Sequence, residues 1–131
     1  MKRDLELIRK ILIAIEENPK PQFQGELSVE GYDDETLMFH VSLLEESGFI
    51  DAVISKDGTG EIVNVFPNHL TWAGYEFLEL ARNNSVWEKS KKVLKEKSIS
   101  VSVAILSELL KYLVKDTLGL GAAHSPPNQP V

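Results

Sequence analysis

The spacing of apolar residues changes several times along the chain, and each rhythm predicts an element. Leu5, Ile8, Ile11, Leu12 and Ile15 recur at intervals of three and four, which places them on one face of a helix over 3–17. Asn18-Pro19-Lys20-Pro21 ends that helix, since neither proline can continue the hydrogen-bond ladder. The stretch 26–30 alternates, with Leu27 and Val29 on one side, and reads as a short strand. Gly31-Tyr32 turns into a second helix whose inward face is Leu37, Val41 and Leu44. Asp33 and Asp34 supply its N-cap and suit its positive end. Gly48 ends it by taking the left-handed conformation. Two β-rich runs follow, 49–56 and 61–66, around an Asp57-Gly58 hairpin turn. Thr71 then caps a helix to about residue 82, with Tyr75, Phe77 and Leu78 on its apolar side. Asn83-Asn84-Ser85 breaks the chain before a helix over 86–97, apolar at Trp87, Val93 and Leu94. After a break at 98–102 comes a last helix, 103–118.

This order predicts an α+β fold: a domain over 1–83 with a small antiparallel sheet of two or three strands, a helical extension over 84–118, and a tail from 119 with little to bury, expected to be disordered. The last helix stands out. Val101, Val103, Ile105, Leu106, Leu109, Leu110, Leu113, Val114 and Leu118 cover an arc of about 260°, where an ordinary surface helix needs nearer 100°. Either the helix is enclosed on all sides within one chain, or Val103, Leu106, Leu110 and Val114 form a contact between copies. The expectation is the second, a homodimer.

The stretch His40, Val41, Leu44, Glu45, Glu46, Ser47, Gly48, Phe49 and Ile50 resembles the recognition helix of winged helix-turn-helix proteins as it runs into the first strand of the wing. His69 to Leu78, HLTWAGYEFL, resembles the Leu-Thr-x-x-Gly-x-x-Phe-Leu segment that follows the wing in many of them. A full winged helix would place one more helix between the first helix and the recognition helix, and here only a short strand and a turn fit. As a whole, MKRDLELIRKILIAIEENP, EGYDDETLMFHVSLLEESGFIDA and LTWAGYEFLELARNNSVWEKSKKVLKEKS resemble the domain of unknown function DUF2513, a bacterial and phage family. That resemblance implies a winged-helix-like module, often encoded near mobile elements, and implies no activity.

Charge changes the functional picture. Residues 1–81 carry 6 Lys/Arg against 16 Asp/Glu, and residues 82–131 carry 8 against 4. The halves are either complementary to each other or the basic one meets an acidic partner. The outward face of the second helix is Glu35, Phe39, Ser42 and Glu46, flanked by Met38 and Leu43, with no Lys or Arg in the helix. Carboxylates facing a phosphate-lined groove are repelled, so this helix does not favour nucleic acid. Positive charge suited to it lies at Lys56 and at Lys89, Lys91, Lys92 and Lys95. Met38, Phe39 and Leu43, rimmed by acids, instead resemble a protein-contact patch, unless another helix of the chain covers them.

Catalytic material is sparse. His40, His69 and His124 are far apart and not in metal-ligand spacing, so no metal or cofactor is expected. His40 falls at the edge of an apolar helix face and is expected to be a partly buried, hydrogen-bonded residue. Gly58-Thr59-Gly60 lacks the lysine and helix of a phosphate loop. With no Cys, no signal-peptide core and no aliphatic run of membrane-spanning length, the expectation is a cytoplasmic protein off the membrane. The functional expectation is a non-enzymatic regulatory or adaptor module working through an unidentified protein partner. The alternative is a DNA-binding transcriptional regulator.

Overall fold

The computed structural model describes residues 1–97 and 102–119. They form an α+β chain of five helices and one antiparallel pair of strands: α1 (Leu5–Glu16), α2 (Asp34–Glu46), β1 (Ile50–Lys56), β2 (Ile62–Leu70), α3 (Trp72–Ala81), α4 (Asn84–Glu96) and α5 (Val103–Thr117). The chain divides into two compact units, Met1–Leu78 and Glu79–Val131. The division falls inside α3, a few residues before the 83/84 boundary read from the sequence. The expected break at 98–102 and the expected disordered tail lie, apart from Ser102 and Gly119, outside the described residues.

In the first unit, α1 and α2 pack on each other and on the hairpin. Leu7, Ile8, Ile11, Leu12 and Ile15 of α1 and Leu37, Val41 and Leu44 of α2 are buried, as their spacing predicts. Each helix begins on an aspartate. Asp4 accepts from the Leu7 N–H at 3.1 Å, and Asp33 from the Thr36 N–H at 2.8 Å. The other Asp4 carboxylate oxygen accepts from the Tyr32 hydroxyl at 3.0 Å. The Asp4 backbone N–H donates to His40 Nε2 at 2.8 Å, while His40 Nδ1 lies 2.9 Å from the Thr36 carbonyl. These partners require a hydrogen on Nδ1 and a lone pair on Nε2. His40 is fully enclosed, more deeply than the partly buried position its sequence context implies. Its task is to join the start of α1 to α2.

Gly48, at φ 83°, turns the chain from α2 into β1. β1 and β2 pair with Ile50 opposite Leu70 and Val53 opposite Phe66, with shifts in register after Asp51 and after Ser55. β2 runs four residues beyond its expected end. The expected strand at 26–30 does not form, and the sheet has two strands among the described residues. Gly25 and Gly31, both at φ 91°, bracket that stretch, and the Tyr32 N–H closes a turn onto the Val29 carbonyl. Five residues between two left-handed glycines have no straight run in which to build a ladder.

α3 docks where α2 meets β1. The Thr71 N–H donates to the Phe49 carbonyl, and the Thr71 hydroxyl donates to the Gly48 carbonyl and accepts from the Gly74 N–H. Phe49 and Phe77 stack with ring centroids 5.2 Å apart. In the second unit, Asn83 caps α4 and Ser102 caps α5, and the two helices pack together. Val86, Trp87 and Ser90 on α4 and Leu106 and Leu110 on α5 are buried, and the Ser90 hydroxyl is satisfied by the Trp87 carbonyl. The wide apolar arc of α5 is therefore in part a face enclosed within the chain. Of the four residues expected at a dimer contact, Leu106 and Leu110 are fully enclosed and Val103 and Val114 half-buried. The large apolar side chains that α5 leaves most exposed in the single chain are Ile105 and Tyr112, on one stripe with half-buried Leu109.

Candidate functional site

A cleft of about 690 Å³ opens in the first unit between three walls. The first is α2, through Asp34, Leu37, Met38 and Val41. The second is the loop from Gln22 to Leu27. The third is β2 from Val63 to Asn68. Its size falls in the range of small-ligand and peptide sites. Each wall follows from its local sequence. Met38 sits one residue off the inward stripe of α2, so it leans to the helix flank and is half-buried. Pro19 and Pro21 throw the chain off the end of α1. The loop is then tied to the strand by two bonds: the Phe23 N–H to the Asn68 carbonyl, and the Gln22 amide to the Asn68 side-chain oxygen at 3.0 Å. Val63 and Phe66 are 51% and 53% exposed, so the strand wall is an open apolar surface. The charges on the lining are Glu26 and Asp34, both exposed carboxylates.

Among the sequence candidates, only Met38 reaches this cleft. Phe39 packs edge-on against His40 with centroids 5.3 Å apart, and Leu43 is half-buried elsewhere on α2. The candidate cations divide. Lys56 ends β1 in the first unit, whereas Lys89, Lys91, Lys92 and Lys95 are exposed on α4 in the second, with Lys91 3.0 Å from Glu88. Sequence reasoning missed Gln22, Phe23 and the strand wall. The available signal was Phe23 and Leu27 set among prolines and glycines, apolar residues in a connection with no regular element to bury them.

None of the residues lining the cleft is a His or Cys. His40 is enclosed and committed to structure. His69 lies on the hairpin, 3.8 Å from the Asp51 carboxylate, which also accepts from the Asn68 amide at 2.8 Å. His124 lies outside the described residues. Among the described residues no three His, Cys, Asp or Glu side chains are grouped to hold a metal ion. Two carboxyl groups are held below the ordinary aspartate value. Asp33 is held there by the Thr36 hydroxyl and then its N–H, and Asp57 in the hairpin turn by the Thr59 hydroxyl and then its N–H. Both shifts come from capping bonds. Among the described residues no helix is long and apolar enough to cross a membrane.

A Haemophilus influenzae protein, described only as uncharacterized, is 32% identical over 121 residues, which span 90% of this chain and 99% of that relative. No solved structure matches the chain. The family model described as hypothetical protein DUF2513 matches residues 2–100. By that match and by the relative, the chain belongs to the DUF2513 family.

Proposed function

We propose that the protein is a non-enzymatic regulatory or adaptor module of winged-helix type that works by docking another protein in the cleft between α2 and β2. The observation that carries this reading is the cleft itself: open apolar side chains on the β2 wall, half-buried ones at Phe23, Leu27 and Met38 on the other two, carboxylates at the rim, and no metal-binding grouping among the described residues beside it. The order helix, helix, hairpin supports the winged-helix comparison, with 18–33 a loop where a full winged helix carries another helix. The test is affinity purification from the native host with nuclease treatment, wild type beside Met38→Glu. Protein retained after nuclease and lost with the variant is the expected result. Recovery of nuclease-sensitive material alone, or equal recovery with the variant, would overturn it.

The second reading, a DNA-binding regulator, has one observation in its favour, the exposed lysines of α4. α2 does not help it, since Glu35 and Glu46 are exposed there without a cation. On this reading duplex affinity falls steeply with salt and disappears when Lys89, Lys91, Lys92 and Lys95 are reversed to Glu. A gel shift with random duplex is the measurement.

A further inference from the structure

We propose that the occupant of the cleft is an extended, basic polypeptide segment that adds to β2 as a further strand. The inference rests on the protein-docking reading above and names the kind of partner. Its first support is the backbone of β2. One edge of the strand is paired with β1. Among the described residues, the only backbone bond reaching it from outside the hairpin is the one from the Phe23 N–H to the Asn68 carbonyl. Along an antiparallel strand every second residue turns both its N–H and its C=O away from the partner. Between the two register shifts Asn64 to Pro67 pair regularly with β1, so alternate residues of this part of the cleft wall present polar backbone to the open side. An exposed edge of this kind is a template for another strand. Pro67 has no N–H to give, Phe23 already takes the next carbonyl, and Val63 lies at a register shift, so the usable stretch runs from Asn64 to Phe66. The bond at Phe23 is the first rung of the ladder that a ligand would continue.

The second support is charge. The lining carries Glu26 and Asp34 and no Lys or Arg, and residues 1–81 hold 16 acidic against 6 basic side chains. A cationic segment is steered in, and an anionic one repelled. The same fact argues against a second copy of this chain. Two β2 edges meeting across a two-fold axis would bring each acidic rim toward its own image. The chain's own C-terminal stretch is a poor occupant too. Residues 119–131 contain no Lys or Arg and three prolines, Pro126, Pro127 and Pro130, each unable to donate to a ladder. Side chains alternate along an added strand. One set would pack toward Met38 and Leu27 and the other would face outward, so the fitting segment alternates apolar and basic residues.

The probes are ten-residue peptides selected against the full chain from a random display library, then synthesised. Enriched peptides are expected to carry net positive charge on an alternating apolar pattern. Removing alternate backbone donors by N-methylation is expected to weaken binding about tenfold or more. The double variant Glu26→Gln, Asp34→Asn is expected to weaken it several-fold and to flatten its dependence on salt. Enrichment of neutral or acidic peptides would overturn the inference. So would binding that tolerates N-methylation at every alternate position. If such peptides still lose affinity with Met38→Glu, the cleft docks protein in another conformation, and the broader reading stands without this one. If no selected peptide responds to Met38→Glu, both fall.

Discussion

Replacing Gly74 by alanine tests how tightly α3 is seated on the rest of the first unit. A Cβ built on Gly74 would lie 2.0 Å from the carbonyl oxygen of Phe49 and 3.0 Å from its carbonyl carbon. Neither neighbour can yield at low cost. The Phe49 carbonyl accepts from the Thr71 N–H at 3.0 Å, the Phe49 ring is stacked on Phe77, and the next residue begins β1. Relief requires that α3 withdraw by more than an ångström, which opens the Thr71 bond and unstacks the rings. Overpacking of this kind costs about 1–3 kcal/mol, and the lost hydrogen bond about 1 kcal/mol. Alanine is the better helix former by about 1 kcal/mol, which offsets part of this. The expected net loss is about 1–3 kcal/mol, a substantial share of the 5–15 kcal/mol that typically holds a domain. The assay is urea denaturation followed by far-ultraviolet circular dichroism. Gly58→Ala serves as control, because Gly58 has no atom within 4 Å of a built Cβ, and a shift within about 0.5 kcal/mol is expected there. A Gly74→Ala protein as stable as wild type would refute the account of the α3 junction.

Other perturbations reach other parts of the chain. His40→Leu removes the acceptor for the Asp4 N–H inside an enclosed site and should cost about 1–3 kcal/mol by the same denaturation assay; a loss under about 0.5 kcal/mol would show that the link between α1 and α2 is dispensable. Asp33 and Asp57 have lowered folded values, so their stabilising contribution is complete above the ordinary value of 3.8 and is lost as pH falls through the lower folded values. Denaturation at stepped pH should show this acid loss, and Asp57→Asn should show less of it. We expect a homodimer held by the open stripe of α5, and Ile105→Glu should make it monomeric in sedimentation equilibrium at micromolar concentration. A wild-type species of 14.7 kDa under those conditions would dispose of the dimer.

What could be read from the sequence follows the range of the interactions involved. α1 and α2 announce themselves because their stripes and their capping aspartates are local, within a few residues of each other. The hairpin turn and the left-handed Gly48 are local as well. The strand expected at 26–30 fails for the opposite reason. Leu27 and Val29 alternate correctly, but a strand needs a partner ladder, and the flanking glycines turn the chain before one can form. α5 shows a further limit. Its apolar arc is visible, yet which part the chain encloses depends on packing that no periodicity encodes, so the arc alone does not separate Leu106 and Leu110, which the chain encloses, from Ile105, which it leaves open. The cleft is the least legible feature. Met38 stands out in the sequence only for its place on the wheel, whereas the cleft it lines is completed by Phe23 and the strand from Val63 to Asn68, with the loop and strand tied across 46 positions by the bond between Gln22 and Asn68.

The bond from the Asp4 N–H to His40 also has a consequence for hydrogen exchange. Amides at the start of a helix have no partner in its ladder and ordinarily exchange at close to the free-peptide rate, because helix ends fray at little cost. This one is held by an imidazole that is itself fully enclosed on α2, 36 positions away. Its hydrogen can leave only when that bond opens. Asp4 is therefore a built-in probe: one amide whose protection factor reports on the bond that joins the start of α1 to α2.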